Sequence, residues 1–142
     1  MTKLKPRILA IDDEKDMLDP FQTILSRKYE VIATASGTEG IEIIKNENTH
    51  LVLLDIRMPE TNGIEVLKKI KELEPELDVI MVSASKEIKS AVECIKLGAY
   101  DYITKPFEID ELKSLMEKAL ERKELLRENI CLKTIKNIML VS

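Results

Sequence analysis

Short apolar runs in this chain end in polar side chains that suit phosphoryl chemistry. In chain order, these polar residues are Asp12, Asp13, Asp55, Ser83 and Lys105. If the runs are neighbouring parallel strands, their carboxyl ends meet at one edge of the sheet, where open α/β sheets bind their ligands. Three carboxylates, one hydroxyl and one ammonium group would then share a pocket. Such a pocket could hold a magnesium ion beside a phosphoryl group on an aspartate.

Each of these residues also has an ordinary structural explanation. Acids such as Asp12 and Asp13 favour the amino end of a helix, and an aspartate such as Asp55 often starts a turn. Ser83 could simply end a strand, and Lys105 could lie on the surface. The chemical interpretation therefore depends on their joint placement, because every one of them follows a predicted strand.

Apolar runs of about four residues alternate with segments of helical period. The predicted strands are Ile8–Ile11, Tyr29–Thr34, Leu51–Asp55, Val79–Ser83 and Tyr100–Thr104. The predicted helices are Asp16–Arg27, a segment capped by Ser36, Ile64–Leu73, Glu87–Leu97 with Gly98 as its cap, and the chain from Ile109 onward. Runs that do not alternate indicate strands buried on both faces. The strict alternation predicts an α/β fold, a doubly wound sheet of five parallel strands with helices on both faces.

Composition limits the classes of protein that the chain can belong to. The 142 residues are 44% apolar and 34% charged, as in a soluble globular domain, and the net charge of −4 argues against direct nucleic-acid binding. No apolar run approaches the roughly 20 residues of a membrane helix, and none has the form of an export signal. We therefore expect no membrane association, a cytoplasmic location, and free thiols at Cys94 and Cys131.

The C-terminal part of the chain has a helical pattern of its own. Its apolar residues at helical spacing are Ile109, Leu112, Met116, Ala119, Leu126 and Ile130. They predict one seam that continues past the point where a domain of this size should end. Residues 121–128 are mostly charged. We expect one domain over residues 1–120 and a helical linker or C-terminal extension over residues 121–142. This segment either is solvated, pairs with another copy of the chain, or leads to a partner domain.

Several motifs together resemble the receiver domain of bacterial two-component response regulators. They are Ile11-Asp12-Asp13-Glu14, Leu53 to Pro59 around Asp55, Asn62-Gly63, Ser83-Ala84 and Lys105-Pro106-Phe107. The resemblance covers about residues 7–120 and is highly specific. The segment from Lys96 to Phe107 is most similar to receivers that precede ATPase-type transcriptional activators. The implied fold is the flavodoxin-like (βα)5 receiver fold with strand order 2-1-3-4-5, the order known for a chemotaxis receiver.

The resemblance implies a role for each residue of the site. Asp55 would accept a phosphoryl group from the phosphohistidine of a sensor histidine kinase. Asp13 and Asp55 would bind Mg²⁺ directly, Asp12 largely through water, and Arg57 through its backbone carbonyl. Lys105 would pair with the phosphoryl group. Arg57 and Ser85, each two residues after a site residue, would adjust the lifetime of the phosphorylated state.

The resemblance also implies a conformational switch. Ser83 would move toward the phosphoryl group, and Tyr102 would turn into the space behind it. The surface formed by Glu87–Leu97, Tyr100–Thr104 and Ile109–Leu120 would then change and form a homodimer or partner interface. Pro106, directly after Lys105, is a candidate for a cis peptide bond.

Other functions remain possible from the sequence alone. A Mg²⁺-dependent phosphatase with an aspartate nucleophile would need a second acid two residues after Asp55, but that residue is Arg57. A flavin-binding domain would need a phosphate-binding loop after the first strand, where this chain has Asp12-Asp13-Glu14. A scaffold without phosphorylation would not need the acids. A stand-alone receiver that acts through protein contacts, without an output domain, is an alternative to a regulator of transcription.

Overall fold

A computed structural model describes residues 5–59, 61–84 and 87–141, apart from the side chains of residues 15, 127, 140 and 141. The strands are β1 (Arg7–Ile11), β2 (Glu30–Thr34), β3 (Leu51–Leu54), β4 (Asp78–Ser83) and β5 (Asp101–Thr104). All neighbouring strands are parallel, and their order is β2-β1-β3-β4-β5. The predicted fold and strand order are therefore confirmed.

The central strands β3 and β4 form because their side chains are buried on both sides of the sheet. All four residues of β3 are buried, and so are all six of β4. On β3, Val52 and Leu54 face the apolar cluster that includes Ile70, whereas Leu51 and Leu53 face the cluster that includes Met116. Successive side chains of a strand point to opposite faces, so one short strand contributes to two cores.

The helices cover the two faces of the sheet unequally. They are α1 (Gln22–Leu25), α2 (Gly37–Asn46), α3 (Gly63–Leu73), α4 (Ile88–Lys96) and α5 (Ile109–Val141). Buried residues of α2, α3 and α4 pack in one cluster, and those of α1 and α5 pack in the other.

Ser36 caps α2, because its hydroxyl accepts the Glu39 N–H at 3.2 Å. Gly98 follows α4 with a φ of +105°, a conformation that favours glycine at a helix end.

The predicted single helix over Asp16–Arg27 is wrong in its detail. A 3₁₀ helix occupies Lys15–Phe21, and the α-helix α1 covers only Gln22–Leu25. Pro20 lies inside the 3₁₀ helix, and proline removes a backbone donor and restricts the residue before it. The buried side chains of Leu18 and Leu25 still reach the core.

The last helix is continuous over 33 residues, but only its first part packs on the sheet. Leu112, Met116 and Ala119 are fully buried. The predicted apolar positions continue along the same helix but are exposed there, with Leu126 at 50% and Ile130 at 65%. The sheet ends before these residues, so they have no core to enter. The domain boundary at residue 120 remains a prediction.

In the residues that the structure describes, no helix has both the length and the apolar character to cross a lipid bilayer.

Candidate functional site

Three carboxylates lie together at the carboxyl edge of the sheet. Asp12 and Asp13 follow β1, and Asp55 follows the neighbouring β3. One oxygen from each carboxylate lies within 4.8 Å of the others. Asp12 is 2% exposed and Asp55 is 6% exposed, whereas Asp13 is exposed. The parallel pairing of β1 with β3 is what brings these acids together, as the sequence predicted.

Lys105 reaches the same acids from the end of β5. Its Nζ lies 2.6 Å from Oδ2 of Asp12 and 3.5 Å from Oδ2 of Asp55. Its backbone N–H donates to the carbonyl of Ser83 at 2.9 Å, which fixes the chain where β4 and β5 end. The peptide bond between Lys105 and Pro106 is cis. The ammonium group therefore lies between two carboxylates in a largely buried position.

The electrostatics of the site are dominated by burial. Desolvation raises the pKa of Asp12 to about 6, against the opposing effects of the Lys105 hydrogen bond and the Glu14 N–H. Burial by itself would lower the pKa of Lys105, but the hydrogen bond and charge of Asp12, with the charges of Asp55 and Glu14, raise it. Lys105 therefore stays charged, and Asp12 holds its negative charge weakly.

Local backbone donors hold two of the carboxylates in place. Oδ1 of Asp12 accepts the N–H of Glu14 at 2.8 Å, and Oδ1 of Asp55 accepts the N–H of Arg57 at 3.2 Å. The N–H of Asp55 donates to the Ile11 carbonyl at 3.0 Å, which extends the pairing of β1 and β3 by one step. In each carboxylate one oxygen is used for orientation, and the other, Oδ2, contacts Lys105.

Gly63 supports the loop that carries Asp55, a role that the sequence motif did not assign to it. A Cβ atom at Gly63 would lie 2.1 Å from the Asp55 carbonyl oxygen and 2.6 Å from Cα of Ile56. The Gly63 N–H donates to the Ile56 carbonyl at 2.7 Å, and Asn62 caps α3 by accepting the Ile64 N–H at 2.9 Å. The Asn-Gly pair after Asp55 was the available signal. Its reason, the close approach of two backbones, is visible only in three dimensions.

The two predicted switch residues lie on adjacent strands. Ser83 is fully buried at the end of β4. Tyr102 on β5 is partly buried, is paired in register with Met81, and packs against the cluster formed with α2, α3 and α4. The side chain of Arg57 points into solvent and lies 3.7 Å from Glu87. Ser85 lies outside the described residues.

The acidic cluster has the donor chemistry of a magnesium site. Mg²⁺ prefers hard oxygen ligands and is usually held by one or two carboxylates together with water and phosphate oxygens. Asp12, Asp13 and Asp55 supply such oxygens within 4.8 Å of one another. A divalent cation bound to these oxygens would favour the ionised form of the carboxylates.

The fold brings three carboxylates and a lysine together at the carboxyl edge of an open parallel sheet. Residues 8–117 match the family described as the response regulator receiver domain, and the chain belongs to that family. Receiver domains are phosphorylated by histidine kinases and bind Mg²⁺ through acidic residues. They are signalling domains rather than classical enzymes.

The relatives include regulators of transcription. The chain is 34% identical over 123 residues to the regulatory protein AtoC of Escherichia coli, and 39% identical over 114 residues to the transcriptional regulatory protein ZraR of the same species. These alignments cover 86% and 80% of this chain but only 27% and 26% of the two relatives. The predicted likeness to receivers of ATPase-type transcriptional activators is confirmed.

Solved structures agree with this assignment. NtrX from Brucella abortus, solved in complex with ADP, is similar with a TM-score of 0.82 at 37% identity, covering 91% of this chain and 30% of NtrX. A CheY-like receiver domain protein from Methanospirillum hungatei is similar with a TM-score of 0.80 at 34% identity, covering 85% of this chain and 98% of that protein. This chain therefore corresponds to one part of the larger regulators and to nearly the whole of a single receiver.

Proposed function

We propose that Asp55 is the phosphoacceptor of this receiver and that a sensor histidine kinase supplies the phosphoryl group. The observation that carries the proposal is the meeting of Asp12, Asp13 and Asp55 within 4.8 Å, with Lys105 in contact with two of them. Arg57 stands where an aspartate-nucleophile phosphatase would need its second acid, which favours an acceptor over that enzyme.

In the proposed reaction, a carboxylate oxygen of Asp55 attacks phosphorus. The new O–P bond forms as the N–P bond of the phosphohistidine breaks, and the histidine nitrogen keeps the electron pair. Oδ1 of Asp55 accepts the Arg57 N–H, whereas Oδ2 faces Lys105, so attack by Oδ2 would place the transferred group beside the ammonium. Lys105 lies 3.5 Å from Oδ2 and would neutralise part of the charge on the transferred group.

Mg²⁺ would be held by Asp13 and Asp55 directly, by Asp12 largely through water, and by the backbone carbonyl of Arg57. When bound, it would neutralise phosphoryl oxygens and thereby make attack by a carboxylate possible. Asp12 and Asp13 contribute the acidic charge that such an ion requires, while Lys105 limits their mutual repulsion when no ion is bound. The same groups would let the domain assist its own dephosphorylation.

Phosphorylation would change the surface formed by α4, β5 and the first part of α5. It adds about −1.5 to −2 charge and three acceptor oxygens beside Lys105. Ser83 would turn toward these oxygens, and Tyr102 would move into the vacated space.

The altered surface, with the helical extension, would form a homodimer or bind an output partner. Control of transcription in the cytoplasm is the output we favour, because the relatives include transcriptional regulators; a stand-alone receiver is the alternative.

Acetyl phosphate tests the acceptor directly. We expect one adduct of about 80 Da per chain, formed only with Mg²⁺, labile in alkali, and absent in Asp55→Asn. The matched control is Asp101→Asn, since Asp101 is also an aspartate at a strand end but lies at the opposite edge of the sheet. An adduct that persists in Asp55→Asn contradicts the assignment, and continuous release of many phosphates per chain favours a phosphatase.

Beryllofluoride, which mimics the phosphoryl group, tests the switch. NMR shifts should spread from Asp55 to Ser83, Tyr102 and α4. Shifts confined to the surroundings of Asp55 would exclude the proposed movement of Tyr102 while leaving the phosphoacceptor role intact.

A further inference from the structure

Arg122 joins the beginning of the helical extension to the amino edge of the sheet. Its Nη2 lies 3.0 Å from Oδ1 and 3.3 Å from Oδ2 of Asp78. Its guanidinium carbon also lies 5.2 Å from the centre of the Tyr100 ring. A guanidinium can pair with a carboxylate and contact an aromatic face at the same time, which an ammonium group does less well. We call this set of three residues the clasp.

The two partners of Arg122 belong to the strands that carry the site. Asp78 is the first residue of β4, and Tyr100 immediately precedes β5. The Tyr100 N–H donates to the Val79 carbonyl at 2.7 Å, which joins these two strand ends. At their other ends, β4 carries Ser83 and β5 leads to Lys105. The clasp therefore attaches α5 to β4 and β5 at the edge opposite the acidic cluster.

The clasp lies where the apolar packing of α5 has ended. Ala119 is fully buried, whereas every described side chain from Glu124 to Met139 is exposed. An open groove, lined by residues that include Glu47, Glu76 and Leu126, separates the extension from the amino edge of the sheet. Apolar packing therefore holds α5 up to Leu120, and Arg122 adds an ion pair and a ring contact just beyond that point.

Burial of Asp78 gives the clasp its importance. The Asp78 side chain is 11% exposed, whereas that of Arg122 is 53% exposed. A nearly buried carboxylate needs a partner, because an unpaired buried charge is costly. The helix continues beyond Arg122 for about 28 Å, at 1.5 Å per residue, so a small tilt of α5 becomes a large displacement at its far end.

We infer that the clasp of Arg122, Asp78 and Tyr100 is a conformational device that fixes the direction in which the helical extension leaves the domain. With the clasp closed, the extension follows the position of β4 and β5. With the clasp open, only the apolar contacts of its first part hold α5 on the sheet, so the whole helix tilts more freely and the extension samples several directions. The clasp does not require phosphorylation of Asp55, so it can be tested whether or not Asp55 is the phosphoacceptor.

Distances between spin labels test the direction of the extension. One label is attached to the exposed thiol of Cys131, and a second to a cysteine introduced by Glu72→Cys on the exposed side of α3. Double electron–electron resonance should give a narrow distance distribution for the otherwise unchanged protein. Arg122→Ala should widen it about twofold, because the contact that limits rotation is lost. Lys118→Ala, which removes another exposed cation one turn earlier on α5, should leave it narrow.

A double-mutant cycle tests the contact itself. Arg122→Ala, Asp78→Asn and the double variant are compared in urea unfolding, where the two changes should be coupled by about threefold in the unfolding equilibrium constant. The proposal is overturned if Arg122→Ala leaves the distance distribution as narrow as Lys118→Ala does, or if the two changes are fully additive. Loss of the acetyl phosphate adduct would not affect either result.

Discussion

At the residue scale, the site depends on a balance between burial and charge. Asp12 and Asp55 are buried acids, and Lys105 is the cation that contacts both. Burial raises the pKa of Asp12 to about 6 even with the ammonium 2.6 Å away. Desolvation is the largest cause of this shift, and Lys105 opposes it without cancelling it.

Removing the Lys105 charge should destabilise the metal-free protein. Lys105→Met leaves two buried carboxylates without a cation, so the free energy of unfolding in EDTA at neutral pH should fall by about 2 kcal/mol. Added Mg²⁺ should recover more stability in this variant than in the unchanged protein, because the ammonium no longer competes for the same oxygens. Urea unfolding with EDTA and with Mg²⁺ measures both effects.

Lys68→Met is the matched control for this experiment. Lys68 also pairs with an acid, Glu65 at 3.4 Å, but the pair is exposed on α3. Its loss should change the free energy of unfolding by less than about 0.5 kcal/mol and should not alter the response to Mg²⁺. Equal losses in the two variants would show that Lys105 has no special role in holding the acids.

The two cysteines should differ sharply in reactivity. Burial, together with the charge of Glu93, raises the pKa of the fully buried Cys94 thiol, whereas Cys131 is exposed on α5. Since the thiolate is the reactive form, iodoacetamide should modify Cys131 in the folded protein and Cys94 only after unfolding in urea. Mass spectrometry of the intact chain should show one adduct without urea and two with it. Two adducts in the folded protein would contradict the buried position of Cys94.

At the element scale, the pattern of apolar residues along the chain was enough to predict the strands and most of the helices. The strands follow from uninterrupted apolar runs, and the cap at Ser36 follows from its residue type and position. The helix predicted over Asp16–Arg27 was wrong because its apolar spacing took no account of Pro20. The helical pattern predicted on α5 continues past Ala119 in one helix, but its apolar side chains are exposed there, because periodicity shows which side of a helix is apolar and not whether a sheet lies beneath it.

The site was predictable in position but not in its energetics. Parallel strands bring residues at their carboxyl ends together, so Asp12, Asp13, Asp55 and Lys105 could be assigned to one pocket from their places along the chain. The sequence could not predict the length of the Lys105–Asp12 contact or the raised pKa of Asp12. Both depend on how much water the surrounding loops exclude. The requirement for glycine at position 63 likewise depends on a close approach to the backbone of Asp55 and Ile56, which the sequence alone does not show.

Gly63, where the loop after β3 meets α3, should not tolerate substitution by a residue with a side chain. In Gly63→Ala, the new Cβ would meet the Asp55 carbonyl oxygen at 2.1 Å, a backbone atom that cannot move away without displacing Asp55. The free energy of unfolding should fall by about 2–3 kcal/mol, and the rate of adduct formation with acetyl phosphate should fall with it. Urea unfolding and mass spectrometry are the measurements.

Gly37→Ala separates this effect from a general intolerance of alanine. Its Cβ would meet a methyl group of Val66 at 2.8 Å, and a side chain can adjust more easily than a backbone. We expect a smaller loss of stability and an unchanged rate of adduct formation. A Gly63→Ala protein that forms the adduct at the normal rate would show that the loop does not need this close approach.

At the scale of the whole molecule, the chain combines a packed domain with an exposed helix. The first part of α5 is held by apolar burial, Arg122 holds the junction, and the remainder lies in solvent. Its final turns carry Leu132, Ile135 and Ile138 at intervals of three residues, all exposed. This spacing places them on one side of the helix, opposite polar residues such as Lys133 and Asn137. An apolar strip of this kind is a candidate contact surface for another molecule.

A second copy of the chain would cover this strip in the homodimer proposed above. Sedimentation over a range of concentrations should then show a monomer–dimer equilibrium, and Leu132→Lys with Ile135→Lys should move it toward the monomer, because each lysine places a charge in the apolar contact. Lys133→Glu with Asn137→Lys, on the opposite side of the same helix, should leave the equilibrium nearly unchanged. The urea midpoint of the domain should be the same in both variants at low concentration, since the affected side chains lie outside the core. A dimer that survives Leu132→Lys with Ile135→Lys would place the contact elsewhere, on the surface formed by α4, β5 and the first part of α5, where Ile88, Val92 and Ile95 are exposed.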